Sequence, residues 1–236
     1  MSSARENLLN LIRKLIDKCV NLKIYNPEYP ENAGGALVVT NHISRLDTAF
    51  LMVSTKRRDI IGMVASNYRT APILGSIVSK LGAIWVNRGE GDFSALRKVK
   101  EYIQKGWIVG LAPEGKRSRS KQLIEAKQGV ALMAMKTGAP IIPVGLTGTA
   151  DMLKAFSKFK KMDVTINFGE PFHLPERLED EHNRDYVGRA VDEIMCRIAI
   201  LLPENKRGFY AKHPRIQSLL AETDQSKNPV FNKELI

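Results

Sequence analysis

Ala36-Leu37-Val38-Val39-Thr40-Asn41-His42-Ile43-Ser44-Arg45-Leu46-Asp47 is the stretch on which the fold turns. Its first five residues carry no charge and are mostly β-branched or apolar, the composition of a short strand buried on both faces. It follows the turn-rich Asn26-Pro27 and Asn32-Ala33-Gly34-Gly35 and passes directly into polar residues. Similar runs recur at 82–86, 108–112, 141–146 and 164–168. Between them lie stretches of helical period. One carries Phe93, Leu96, Val99, Tyr102 and Ile103; the next carries Val130, Leu132, Met133 and Met135 and stops at Gly138. Another helix is predicted over 186–202 from Val187, Val191, Ile194, Met195, Ile198 and Leu202. Strands alternating with helices predict an α/β fold, a single domain with a mostly parallel central sheet flanked by helices.

Upstream, residues 5–22 place Leu8, Leu9, Leu11, Ile12, Leu15, Ile16, Cys19 and Val20 at helical spacing, with Arg13, Lys14 and Lys18 between them. This predicts an N-terminal amphipathic helix. Such a helix lies on a bilayer or packs against its own domain, and the two are compatible. From Pro203 the periodicity fades, which predicts a loosely packed polar tail. The expected division is 1–34 for the helix and its link, 35–202 for the α/β domain, and 203–236 for the tail.

Thirty-six Lys and Arg against twenty-five Asp and Glu leave a net charge of +11. That excess suits polyanions, whether nucleic acid, an anionic leaflet or a phosphorylated small molecule, and it equally describes a solvated basic face. Cys19 and Cys196 belong to no ligand cluster, which argues against a disulfide framework and a metal site; both are expected as buried thiols in a reducing compartment. No apolar stretch is long enough to span a bilayer, and charges at Arg13, Lys14, Asp17 and Lys18 interrupt any secretory leader, so membrane association is expected to be peripheral.

In open α/β sheets ligands gather at the carboxyl ends of strands. After the first strand, Asp47 lies close behind the loop holding His42. A carboxylate there accepts the Nδ1 proton and leaves Nε2 free to take a proton from a hydroxyl. Ser44-x-x-Asp47 also reads as a capping box, with Ser44 capping a helix that begins at Arg45 and Asp47 satisfying only backbone N–H groups. Ala112-Pro113-Glu114-Gly115-Lys116-Arg117-Ser118 is a polar, glycine-containing loop suited to a phosphate, or a solvated basic turn. Arg88, after Trp85-Val86-Asn87, is an anion ligand or a surface charge.

Taken together, His42-x4-Asp47, then Asn87-Arg88-Gly89, then Pro113-Glu114-Gly115-x-Arg117-Ser118, then Gly138-Ala139-Pro140-Ile141-Ile142-Pro143-Val144 resemble the glycerophospholipid acyltransferase family. The resemblance is strongest to its bacterial 1-acylglycerol-3-phosphate acyltransferases and covers residues from about 35 to 170.

The resemblance implies transfer of a fatty acyl group from acyl-CoA or an acyl carrier protein to the free hydroxyl of 1-acylglycerol-3-phosphate, giving phosphatidic acid. His42 is then the general base and Asp47 its orienting partner, with no acyl-enzyme, no metal and no cofactor beyond the thioester co-substrate. Arg88, Glu114, Gly115, Lys116, Arg117 and Ser118 become the substrate-binding set: Arg88 and Arg117 on the phosphate, and Glu114 touching the glycerol or positioning an arginine. The Pro140 block becomes structural or acyl-lining. Lys116 and Asn87 depart from the family pattern, which bears on the acceptor rather than the reaction. The implied place is peripheral, on the cytoplasmic face of the membrane. Residues 154–162, which mix cations with Phe156 and Phe159, are a second lipid contact or a solvated connection. Competing readings are the same reaction on a lyso-aminolipid, glycolipid or other lysophospholipid, and a non-catalytic basic protein binding membrane or nucleic acid. The second finds no recognised nucleic-acid module and few aromatics among the cations.

Overall fold

The computed structural model describes residues 3–87, 92–151 and 161–222. Seven strands form one sheet in the order β1-β7-β6-β2-β5-β3-β4. They are β1 (Val20–Tyr25), β2 (Ala36–Thr40), β3 (Ile60–Ala65), β4 (Ile84–Val86), β5 (Ile108–Leu111), β6 (Ile141–Thr147) and β7 (Met162–Phe168). All neighbours are parallel except β6 and β7. The described α-helices are α1 (Ser3–Cys19), α2 (Glu28–Asn32), α3 (Asp47–Val53), α4 (Pro72–Leu81), α5 (Phe93–Gln104), α6 (Gly129–Thr137), α7 (Asn183–Ala199) and α8 (Pro214–Glu222). The architecture is the mostly parallel, helix-flanked sheet that the alternating pattern predicts.

All five residues of β2 are buried, because β2 lies at the centre of the sheet between β6 and β5. Successive side chains of a strand point to opposite faces. Leu37 and Val39 join Ala95 and Val99 of α5, Ala131 and Ala134 of α6 and Ile194 and Ile198 of α7. Ala36 and Val38 join Leu9 and Ile16 of α1, Phe50 of α3 and Leu81 of α4. Two helical layers therefore cover the sheet.

Two strands lie where the sequence reading had none. The helix expected over 5–22 stops at Cys19, and Val20–Tyr25 pairs in parallel with β7 instead. Val20 fits the helical period and the strand alternation equally, so local pattern cannot choose between them. In β3, Gly62 interrupts the apolar run. A Cβ at Gly62 would come within 2.7 Å of the Thr48 methyl, so α3 packs directly on the strand backbone. The strand expected at 82–86 begins only at Ile84, since Gly82, at φ 80°, closes α4 in the left-handed conformation.

α1 packs on the domain. Arg5, Leu9 and Ile16 are buried, and the Arg5 guanidinium donates to the carbonyls of Leu81 (2.9 Å) and Arg58 (2.6 Å). Leu11 and Leu15 face outward, each 53% exposed. Cys19 is half-buried rather than buried; Cys196, on α7, is buried. Among the described residues no helix is long and apolar enough to cross a membrane.

The stretch from Pro203, expected as a loose tail, is packed as far as it is described. Tyr210, Ile216 and Leu219 are buried in the core on the α7 side, and Arg215 of α8 bonds Glu193 of α7 at 2.6 Å. The 3₁₀ turns Glu204–Lys206 and Gly208–Tyr210 carry little helical periodicity and α8 is only nine residues long, so the polar composition outweighs the local pattern there. The Tyr210 hydroxyl also accepts the Ala126 N–H at 3.1 Å. Tyr210→Phe is expected to cost about 1 kcal/mol, and Tyr210→Ala about 3–5 kcal/mol by opening a cavity. Urea denaturation measures both; a neutral Tyr210→Ala would mean the segment contributes nothing to the fold.

Candidate active site

β6, β2 and β5 are adjacent and parallel, so their carboxyl ends emerge side by side. Each delivers one buried polar residue there. β2 passes into Asn41 and His42, β5 into Glu114, and β6 into Gly148-Thr149. Asn41 is buried and exchanges two hydrogen bonds with the Leu146 backbone, 2.9 Å from Nδ2 to the carbonyl and 2.8 Å from the N–H to Oδ1. This pins the exit of β2 to β6 and fixes where His42 begins.

Asp47 is the hub. Its Oδ2 lies 2.8 Å from His42 Nδ1 and accepts the N–H groups of Ile43 and Ser44, each at 2.8 Å. Its Oδ1 accepts the Thr149 hydroxyl at 2.6 Å. The Asp47 side chain is 2% exposed and that of His42 24%. An acceptor-only carboxylate at Nδ1 puts the ring proton there and leaves Nε2 with a lone pair. The two readings of Asp47, imidazole partner and loop cap, therefore coexist on one oxygen. The helix begins at Asp47 rather than Arg45, and Ser44 Oγ accepts the Leu46 N–H at 3.2 Å instead of capping a helix from Arg45.

Thr149 was not among the residues picked from sequence. It follows Gly148, whose φ is +87° and where a Cβ would sit 2.0 Å from the Asp163 carbonyl oxygen. Only glycine fits that turn, and the turn directs Thr149 back onto Asp47. The signal available was a Gly-Thr pair at the end of an apolar run. The sequence pattern instead singles out Pro140, just before β6, and Pro143, in register with Val39. Val144, the last residue of that block, is in register with Thr40, so the block stops short of the level of His42.

The Glu114 loop also holds His42 in place. Glu114 is 1% exposed; Oε1 accepts the His42 N–H at 2.9 Å and Oε2 the Ile124 N–H at 3.3 Å. The Ser118 N–H donates to the His42 carbonyl at 2.7 Å, and its hydroxyl lies 3.0 Å from that of Ser120. Both polar groups of the His42 peptide are thus held by this loop. Glu114 and Ser118, expected to meet substrate, are turned inward because the His42 backbone would otherwise be buried without partners. Gly115, at φ +65°, makes the turn, and Lys116 and Arg117 beside it are exposed. Arg88 and residues 154–160 lie outside the described residues. Asn87 donates its N–H to Asp92 at 2.9 Å and accepts the Ser66 hydroxyl at 2.6 Å. Among the described residues no group of three or more His, Cys, Asp or Glu could hold a metal ion.

Burial lifts the Glu114 carboxyl from its ordinary 4.5 to about 7; the His42 and Ile124 N–H groups oppose the rise and the Asp47 charge adds to it. An acid with a raised native value binds its proton more tightly folded than unfolded. Its contribution to stability is then complete below pH 4.5 and is lost as pH rises toward about 7. Wild-type Tm should therefore fall more steeply across that window than Tm of Glu114→Gln, which has no proton to lose. Parallel Tm-against-pH curves would sink this.

Comparison with known proteins agrees on the family. The acyltransferase family model matches residues 21–147, which hold His42, Asp47 and Glu114. The chain is 28% identical over 148 residues to the chloroplastic 1-acyl-sn-glycerol-3-phosphate acyltransferase LPAT1 of Arabidopsis thaliana, covering 61% of this chain and 41% of that protein. It is 24% identical over 164 residues to the 1-acyl-sn-glycerol-3-phosphate acyltransferase of Bacillus subtilis, covering 70% and 80%. The match thus spans less than half the length of the chloroplast relative. The crystal structure of the 1-acyl-sn-glycerophosphate acyltransferase PlsC from Thermotoga maritima superposes with a TM-score of 0.57 over 80% of each chain at 23% identity, a likeness of fold.

Proposed function

The chain belongs to the acyltransferase family, and on that premise we propose that it esterifies the free hydroxyl of 1-acylglycerol-3-phosphate with a fatty acyl group from a thioester. The thioester, acyl-CoA or acyl carrier protein, is the only co-reactant required. The observation that carries the reading is the His42–Asp47 contact, set in a buried carboxylate whose oxygens are both occupied.

The acceptor hydroxyl docks against His42 Nε2 and attacks the thioester carbonyl carbon while its proton passes to the ring. A C–O bond forms and the carbonyl π bond opens to a tetrahedral oxyanion. Collapse breaks the C–S bond, and the departing sulfur takes the proton from His42. Asp47 stabilises the imidazolium that forms between these steps. Thr149 acts one residue away, holding Asp47 through its Oδ1; it is a positioning residue, as are Glu114 and Ser118. Lys116 and Arg117, exposed on the turn beside His42, take the acceptor's phosphate, together with Arg88.

Relatives named 1-acyl-sn-glycerol-3-phosphate acyltransferase support this acceptor. Lys116 is compatible with it, since a second cation beside Arg117 favours a doubly charged phosphate.

His42→Ala should cut thiol release from acyl-CoA with lysophosphatidic acid by about 10²–10⁴-fold with unchanged circular dichroism. Thr149→Val should lower kcat at constant KM, with Thr149→Ser restoring it. Full activity of His42→Ala would remove it as the base. For the acceptor, Arg117→Ala should raise KM for lysophosphatidic acid by about tenfold or more and leave monoacylglycerol turnover as it was. If a panel of lyso-acceptors finds only phosphate-free ones reactive, the phosphate assignment fails.

A further inference from the structure

The two most exposed large apolar side chains among the described residues are Phe93, at 82%, and Ile73, at 78%. A single exposed apolar residue is ordinary. The placing of these two is not. Phe93 is the first residue of α5, which follows β4, and Ile73 is the second of α4, which follows β3. β3 and β4 are neighbours and parallel to β5, so both helices start at the sheet edge that carries His42. α4 belongs to the layer containing α1 and α3, and α5 to the layer containing α6 and α7. The two side chains thus bracket the strand ends from the two faces.

The turns of the same edge are basic. Arg45 follows β2, Arg69 follows β3, and Lys116 and Arg117 follow β5; all four are exposed. Among the described residues of the turns after β2, β4 and β5, Asp47 and Glu114 are buried, Asp92 caps α5, and Glu125 is exposed. Apolar side chains set among cations match the boundary of an anionic bilayer, where the rings and branched chains enter the acyl region and the cations stay at the headgroups.

We propose that this carboxyl-edge rim, built on Ile73 and Phe93 with Arg45, Arg69, Lys116 and Arg117, is the face with which the protein docks on an anionic lipid surface. The lipid partner rests on the acyltransferase reading, since a lysolipid acceptor and a two-chain product reside in bilayers. Docking by this rim brings the His42 edge against the membrane, so that substrate reaches the base without crossing water. The rim is a surface separate from α1, whose bilayer and domain-packing readings are compatible and which packs one face on the domain while Leu11 and Leu15 face outward.

The test is sedimentation of the full chain with vesicles of phosphatidylcholine plus phosphatidylglycerol and with vesicles of phosphatidylcholine alone. Wild type should bind the anionic vesicles, bind the neutral ones several-fold less, and release as salt rises. The double substitution Ile73→Ser, Phe93→Ser should lose about tenfold or more of the binding to anionic vesicles. Leu178→Ser, at a leucine 64% exposed between Phe172 and α7, should lose none. Turnover of short-chain, water-soluble acceptor and thioester should stay within about twofold in the double variant.

Unchanged sedimentation of the double variant, or absence of wild-type binding, overturns the proposal. So does loss of binding only on Leu11→Ser, Leu15→Ser, which would place the contact on α1. A double variant that changes oligomeric state by light scattering while still sedimenting would make the rim a contact between copies of the chain. Failure of the function reading shows separately, as absence of turnover of the soluble substrates by wild type.

Discussion

A carboxylate shielded from solvent must have its charge met by donors, and Asp47 meets this requirement with four of them. Three converge on Oδ2, from the His42 ring and two successive backbone N–H groups, and the Thr149 hydroxyl takes Oδ1. Removing such a group from water without partners costs several kcal/mol or more. The loop from Asn41 to Leu46 therefore has little freedom to wander, because every departure strips a donor from the buried charge. One interaction simultaneously shapes the turn, starts α3 and orients the imidazole.

The same logic extends to the next strand. Glu114 and Ser118 hold the His42 peptide at its N–H and its carbonyl, and both belong to the loop that exposes Lys116 and Arg117. The base and the cationic turn are consequently one mechanical unit, set by β5 lying next to β2. Gly115 and Gly148 serve this unit by allowing the turns of positive φ that point side chains inward or outward as required. Burial that raises the Glu114 carboxyl to about 7 is the cost of using a carboxyl group for a structural task beside Asp47.

The sheet itself makes the arrangement rigid. β2 is buried on both faces, Asn41 ties its exit to β6, and the helical layers close over both sides. The antiparallel β7 and the parallel β1 beside it extend the sheet away from the site, and α1 packs back over that extension and α4. Exposed apolar side chains at the carboxyl edge stand apart from this packing economy, which is why Ile73 and Phe93 bear on what the edge meets.

The strands β2, β5, β6 and β7 and the helices α5, α6 and α7 were legible because their signals are local: a charge-free run, a period of 3.6, a glycine stop. The proximity of His42 and Asp47 was legible for the same reason, five residues being within reach of a single turn. β1 was not, since Val20 satisfies two periods at once, and neither was the packing of Tyr210, whose hydroxyl partner lies 84 residues away. Thr149 meets Asp47 across 102 residues, and Glu114 meets the His42 N–H across 72. No local pattern encodes such meetings. They follow from the order β6-β2-β5, which sets three distant carboxyl ends side by side and so decides which oxygen receives which proton. The sequence alone determined the kinds of element, their succession and the residues able to do chemistry; the tertiary structure alone decided that Glu114 and Ser118 face inward and Lys116 and Arg117 outward, because a buried peptide must find its partners among whatever the neighbouring strand brings.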